Sequence, residues 1–144
     1  WTDAKELSGD AAANYAILEK MRVPIARLNE TGWEETLAAV RRGKGIVVDA
    51  LLGTGAEGAP RPPYDEAIEW INSLGAVVFA VDLPSGLDAD SGEPSERTVK
   101  ADVTLTFVSQ KSGFASPSAK PYLGEVRVID IGAPREAIEK AARK

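Results

Sequence analysis

Histidine and cysteine are both missing from this 144-residue sequence. Their absence removes disulfides, thiol nucleophiles, zinc-finger spacings and imidazole bases. Any proton transfer must run through Asp, Glu, Lys, Tyr or water. A cysteine-free chain fits a reducing compartment, and a cytoplasmic location is expected. A basic face is also missing. Lys and Arg number 17 against 22 Asp and Glu, for a net charge of -5, and the pI is near 4.8. Non-specific nucleic-acid binding usually needs a basic stripe, so no nucleic-acid partner is expected. No apolar run reaches the roughly 18 residues of a membrane span, and no secretory leader is recognised, so no membrane partner is expected either. The sequence opens on Trp1 and not on methionine, as a fragment would.

What is present suits one ordinary domain. Hydrophobic residues make up 44%, enough for a real core and too many for a disordered chain. Leu7–Met21 reads as a helix with Ser8 as N-cap. Val23–Leu28 is a short strand candidate with Pro24 near its start, and Trp33–Arg42 an amphipathic helix. The nearly all-apolar run Gly45–Leu51 predicts a strand buried on both faces, as in parallel sheets. Pro63 suits the first position of a helix running to Leu74, with Asp65 and Glu66 in its first turn. Ala76–Asp82, Ala101–Val108 and Glu125–Ile131 read as further strands, and Pro134–Arg143 as a closing helix. Strands alternating with helices predict a doubly wound parallel sheet. Ligands of such folds sit beyond the C-terminal strand ends, after Asp49, Asp82 and Val108.

The chemistry-bearing residues gather at those ends. Gly53-Thr54-Gly55-Ala56-Glu57-Gly58 matches G-x-G-x-x-G, and Asp82 follows at about the 20-residue interval of a dinucleotide fingerprint. That fingerprint needs its last glycine to open a helix facing the pyrophosphate. Here Ala59-Pro60-Arg61-Pro62-Pro63 intervenes, which predicts a broad loop whose backbone N–H groups approach an anionic ligand; a plain surface loop is the alternative. Asp49 ends an apolar strand, where a carboxylate is costly unless paired, hydrogen-bonded or metal-bound. Its plainer role is to bind loop amides. Asp82-Leu83-Pro84-Ser85-Gly86-Leu87-Asp88 forms a second cluster, with a tight turn expected to hold Ser85 near Asp82. Two strand-end carboxylates on one rim suit a hard cation and not zinc, or can divide acid and base roles. An Asx-type turn is the plainer reading of this cluster. Lys111 could reach a phosphate or simply be solvated, and so could Arg61.

These residues resemble a known family. Val48-Asp49-Ala50-Leu51-Leu52-Gly53-Thr54-Gly55, Pro60-Arg61-Pro62-Pro63-Tyr64, Ile68-Glu69-Trp70-Ile71-Asn72 and Val81-Asp82-Leu83-Pro84-Ser85-Gly86-Leu87-Asp88 are similar to the NAD(P)HX epimerases, the YjeF N-terminal domain. So are Leu7-Ser8-Gly9-Asp10-Ala11 with Asn14, and Thr106-Phe107 before Lys111. The resemblance implies a Rossmann-like three-layer α/β/α sandwich and an isomerase that interconverts the R and S epimers of NADHX and NADPHX, nicotinamide nucleotides damaged by hydration. It implies a potassium ion held by Asp49 and Ser85. It implies substrate contacts from Gly53, Thr54, Gly55, Ala56, Glu57, Gly58 and Ala59, with Asp82 against the substrate as the proton-transfer group. A homodimer, and a fused or partner ATP- or ADP-dependent dehydratase, are further implications.

The family's N-N-G-G-D loop lies upstream of the Leu7–Met21 helix and is absent from this sequence. Residues 1–144 are therefore expected to be a single domain of this type lacking its first strands and that loop. Little or no epimerase activity is expected of the chain alone. Two other functions compete. A non-catalytic nucleotide-binding or scaffold module would be indifferent to the reaction. A plain NAD-dependent dehydrogenase would need the glycine fingerprint intact, and the missing histidine and the Pro-rich break speak against it.

Overall fold

The structure, a computed structural model, describes residues 4–26, 38, 40–41, 45–56 and 58–141. The chain divides into two compact units, Trp1–Arg42 and Gly43–Lys144. In the first, a 3-10 turn at Ala4–Glu6 precedes helix α1, Gly9–Lys20. Ser8 stands at its N-cap with extended backbone, but its side chain makes no capping hydrogen bond. The helix thus starts without the ~1 kcal/mol that a bonded serine cap contributes. The strand expected at Val23–Leu28 does not form over residues 23–26. Pro24 has no N–H to give a ladder, and residues 27 and 28 lie outside the described residues. Of the helix expected at Trp33–Arg42, Ala38, Val40 and Arg41 are described, and they are helical. The rest, Trp33 and Leu37 included, lies outside the described residues.

The second unit carries a four-stranded sheet. β1 (Ile46–Asp49), β2 (Val77–Val81), β3 (Val103–Phe107) and β4 (Glu125–Ile129) lie side by side in chain order, all parallel. The connection from β1 to β2 runs through α2, Tyr64–Ser73. Pro63 is its N-cap, one position before the place expected, and Asp65 and Glu66 fill the first turn, where their charge favours the helix dipole. Ala67, Ile68 and Ile71 form its buried stripe. Fully enclosed Ile68 is worth roughly 2–3 kcal/mol of apolar burial. The β3–β4 connection holds a 3-10 turn, Ser112–Ala115, and a short helix α3, Lys120–Leu123, neither visible in the sequence pattern. Helix α4, Arg135–Ala141, closes the described chain. This is the expected Rossmann-like α/β class. No helix among the described residues is long and apolar enough to cross a membrane.

Register shows which face is covered. Val47 pairs with Val78 and Asp49 with Ala80. Ala80 pairs with Thr104, and Thr104 with Val126. Residues side by side in a parallel ladder point to the same face. This face holds the buried Asp49, Val78, Ala80, Thr104 and Thr106. On the other, Ile46 is 66% exposed and Val48 61%. The expectation that the Gly45–Leu51 strand is buried on both faces is therefore corrected: an all-apolar run does not encode which face is covered. Ile68, Ile71, Val78 and Val99 form one apolar cluster. Leu83, Leu87, Phe114, Ala119 and Leu123 form another. Thr104 is tolerated inside because its hydroxyl donates to the Leu123 carbonyl at 2.6 Å.

Candidate active site

The two strand-end aspartates occupy different depths. Asp49 lies level with Ala80, and Asp82 follows two residues later, past the end of β2. Asp49 is fully buried. Its Oδ1 accepts from the Ser85 hydroxyl at 2.7 Å and from the Leu51 N–H at 3.3 Å; its Oδ2 accepts from the Ser85 N–H at 2.8 Å. Burial pushes the Asp49 carboxyl up, and the hydrogen bonds from Ser85 and Leu51 only partly oppose it. All these partners are neutral. The plainer role foreseen for Asp49, binding loop amides, describes part of what it does.

Ser85 is thereby corrected. Its partner is Asp49 and not Asp82, because the turn after β2 doubles back over the end of β1. Besides donating to Asp49, the Ser85 hydroxyl accepts from the Leu52 N–H at 2.9 Å and lies 3.4 Å from the Leu52 carbonyl. Among the described residues no three acidic side chains cluster as metal ligands. The Asp49 carboxylate, the Ser85 hydroxyl and the Leu52 carbonyl nevertheless form a compact set of hard oxygen donors. A buried carboxylate with only neutral partners suits a hard cation of low charge.

Asp82 behaves differently. Its backbone takes the left-handed conformation, φ 69°, held by its N–H donating to the Leu105 carbonyl at 2.8 Å. Its Oδ1 accepts from the Phe107 N–H at 3.0 Å and the Thr106 hydroxyl at 3.2 Å, and pairs with the Lys111 ammonium at 2.6 Å. Desolvation pushes this carboxyl up, but the bonds and charge supplied by Lys111, Phe107 and Thr106 outweigh it and leave the group below the ordinary range. The Asx-type turn expected within the Asp82–Asp88 cluster is present at its far end. Asp88 makes it, accepting from the Asp90 and Ser91 N–H groups and the Ser91 hydroxyl. Lys111 is held by its ion pair with Asp82, its side chain only 19% exposed, and is not the solvated lysine expected as one alternative. Arg61 is exposed.

The glycine loop faces the segment after Pro84 across a cleft of about 230 Å³. Leu52, Gly53, Ala56, Gly58 and Ala59 line one side; Pro84, Gly86, Leu87, Asp88, Glu93, Pro94 and Ser95 supply the other. Thr54, Gly55, Asp82 and Lys111 are not among the lining residues, and Glu57 lies outside the described residues. The loop closes on itself through the Ala56 N–H donating to the Gly53 carbonyl at 3.0 Å, so that amide is spent within the turn and is not offered to an anion. After Gly58 the next helix begins at Tyr64. The ordinary dinucleotide fingerprint is thus absent, as the prolines foretold.

Sequence reading reached the far wall only as far as Asp88, the end of the second cluster. It missed Glu93, Pro94 and Ser95, which also line the cleft. That wall is pinned from behind. The Ser95 N–H donates to the Gly86 carbonyl and the Val99 N–H to the Ser85 carbonyl, both at 2.9 Å. The Thr98 hydroxyl donates to the Gly86 and Ser95 carbonyls. Asn72 of α2 clamps the Thr98 carbonyl and the Lys100 N–H, each at 2.9 Å. A Cβ built on Gly86, whose φ is +93°, would overlap the Arg97 carbonyl oxygen.

Similarity to other proteins bears on this site. A NAD(P)H-hydrate epimerase of Pirellula staleyi is 46% identical over 139 residues, covering 96% of this chain and 61% of that protein. One from Rhodopirellula baltica is 42% identical, covering 94% and 54%. A bifunctional NAD(P)H-hydrate repair enzyme of Hyperthermus butylicus is 51% identical over 92 residues, 64% of this chain and 17% of that one. The chain thus spans at most about three fifths of these relatives. The crystal structure of yeast ynu0 shares the fold, with a TM-score of 0.73 at 20% identity, covering 94% of this chain and 55% of its own. The family model for the YjeF-related protein N-terminus matches residues 1–113, and the chain belongs to that family.

Proposed function

We propose that this chain is the catalytic part of a cytoplasmic isomerase that interconverts the R and S epimers of hydrated NADH and NADPH. The observation that carries the reading is the state of Asp82. One oxygen accepts three donors, while Oδ2 has no hydrogen-bond partner among the described residues, at a parallel strand end where ligands of such folds bind. Inverting a hydroxyl-bearing carbon requires a bond there to break and reform, with a proton moved each way. With no histidine or cysteine in the chain, a partly exposed carboxylate is the suitable carrier. The names of the relatives point the same way.

The cleft between the glycine loop and residues 84–95 is smaller than a whole dinucleotide needs. It takes one portion of the substrate, on the Gly53, Ala56, Gly58 and Ala59 side. Asp49 and Ser85, with the Leu52 carbonyl, would hold a potassium ion. The ion would supply positive charge offsetting the buried Asp49 and attracting an anionic nucleotide. A homodimer, and an ATP- or ADP-dependent dehydratase consuming the S epimer, complete the reading.

The test supplies one epimer of NADPHX to the full-length protein with potassium and follows the other epimer by chromatography. The expected result is equilibration well above the uncatalysed rate. Epimers interconverting no faster than in buffer would overturn the reading.

A further inference from the structure

Lys111 lies beyond the end of β3, and its side chain is only 19% exposed. We propose that Lys111 is the positioning residue of Asp82: its ammonium, with Thr106 and Phe107, occupies Oδ1 and leaves Oδ2 as the one oxygen presented for proton transfer. This deepens the assignment of Asp82 made above and rests on it.

Four features carry the proposal. The first is saturation: an ammonium at 2.6 Å, a backbone N–H at 3.0 Å and a hydroxyl at 3.2 Å all converge on the same oxygen. The second is aim. The ammonium also donates to the Phe107 carbonyl at 3.4 Å, so two contacts orient it before any substrate arrives. The third is isolation. Among the described residues Lys111 is the charged group facing Asp82: β3 contributes neutral donors from Thr106 and Phe107, and no other charge acts on the carboxyl. The fourth is the backbone. Asp82 and Val108, at the ends of neighbouring strands, both have positive φ, 69° and 66°. Their turns are tied to the adjoining strands by the Asp82 N–H to the Leu105 carbonyl and the Val108 N–H to the Ile129 carbonyl. Lys111 therefore joins two strand ends that have both turned out of the sheet. An ammonium engaged this way acts through the carboxylate and is not the phosphate ligand its loop position suggests.

The experiment compares wild type, Lys111→Met and Lys111→Arg in the full-length protein. Two readouts are taken: the substrate-free titration of the Asp82 carboxyl by carbon NMR, assigned with Asp82→Asn, and the pH profile of kcat/KM. Losing the cation must raise the Asp82 pKa. The expected result for Lys111→Met is an upward move of that titration, the acid limb of the profile moving with it, and kcat falling roughly 10- to 100-fold, the scale of a misaimed catalytic group. KM changes little, and Lys111→Arg restores both pH readouts. If methionine at 111 prevents folding, Lys111→Gln, which keeps a polar head, takes its place with the same expected shifts. An Asp82 titration unmoved by loss of the charge overturns the proposal, and so does a titration that moves while the acid limb stays. If wild type does not epimerise at all, the reading of function falls, while the substrate-free titration still decides whether Lys111 governs Asp82.

Discussion

The ends of β1 and β2 are mirror cases of one pattern. Each strand finishes near an aspartate followed by a glycine-containing turn, and each inverts the other's arrangement. At β1 the carboxylate is sealed and the loop beyond it is open: a Cβ on Gly53, Gly55 or Gly58 would meet nothing within 4 Å. At β2 the carboxylate is accessible, its side chain 22% exposed, and the turn beyond it is packed against Arg97 and Thr98. Asp49 has neutral partners and sits above its ordinary range, while Asp82 has Lys111 and sits below it. A sealed charge with a conformable loop suits holding. An accessible charge on a rigid mount suits chemistry.

The hardest challenge to this contrast falls on the turns. Gly86→Ala is expected to cost about 3 kcal/mol or more, since it combines a left-handed backbone with overlap on a main-chain oxygen that cannot move aside. Gly53→Ala should stay within about 1 kcal/mol. Urea midpoints for the two variants decide it; similar losses would erase the distinction between a packed and an open turn.

Next come the carboxylates in the reaction. Asp82→Asn is expected to slow epimerisation roughly 100-fold or more, the usual scale for losing a positioned acid or base, with substrate binding largely kept. Near-normal turnover would reduce Asp82 to a binding group and move the chemistry to water.

The smallest effect concerns Asp49. Asp49→Asn is expected to abolish potassium-dependent stabilisation, read as the change in Tm on adding potassium, more than it weakens the fold. The pH dependence sharpens this. Asp49's contribution to stability is present below the ordinary carboxylate pKa and lost as pH rises through its raised value. Asp82's is present above the ordinary value and lost as pH falls through its lowered one. Asp49→Asn should therefore remove a decline toward neutral pH, and Asp82→Asn a decline toward acid. Matching profiles for both variants would contradict the opposed environments.

Much of this was readable in the sequence. Apolar runs ending in aspartate marked β1 and β2, and Pro60 to Pro63 announced that the glycine loop would not open a helix. Other features were not local enough to read. The covered face of β1 depends on α2, not on the composition of Ile46–Asp49. Ser85 was attached to Asp82 by nearness in the chain, whereas the register sets Asp49 level with Ala80 and under the turn. The partnership of Lys111 requires β3 to lie beside β2, which spacing cannot state. Lys120–Leu123 is too short for a helical period to show.

The stretch from Leu83 to Lys100 is at once the far wall of the cleft and the strap joining β2 to β3. Its two ends are tied together and to α2: Ser95 and Thr98 bond to Gly86, Val99 to Ser85, and Thr98 and Lys100 to Asn72. It therefore cannot be exchanged piecemeal like an autonomous loop: a graft into another member of the fold must bring the strap whole, together with the asparagine that anchors it. Adaptation of this pocket to new ligands has free play on the Gly53–Ala59 side and little on the other, so selectivity should drift through one lip while the opposite lip preserves the scaffold.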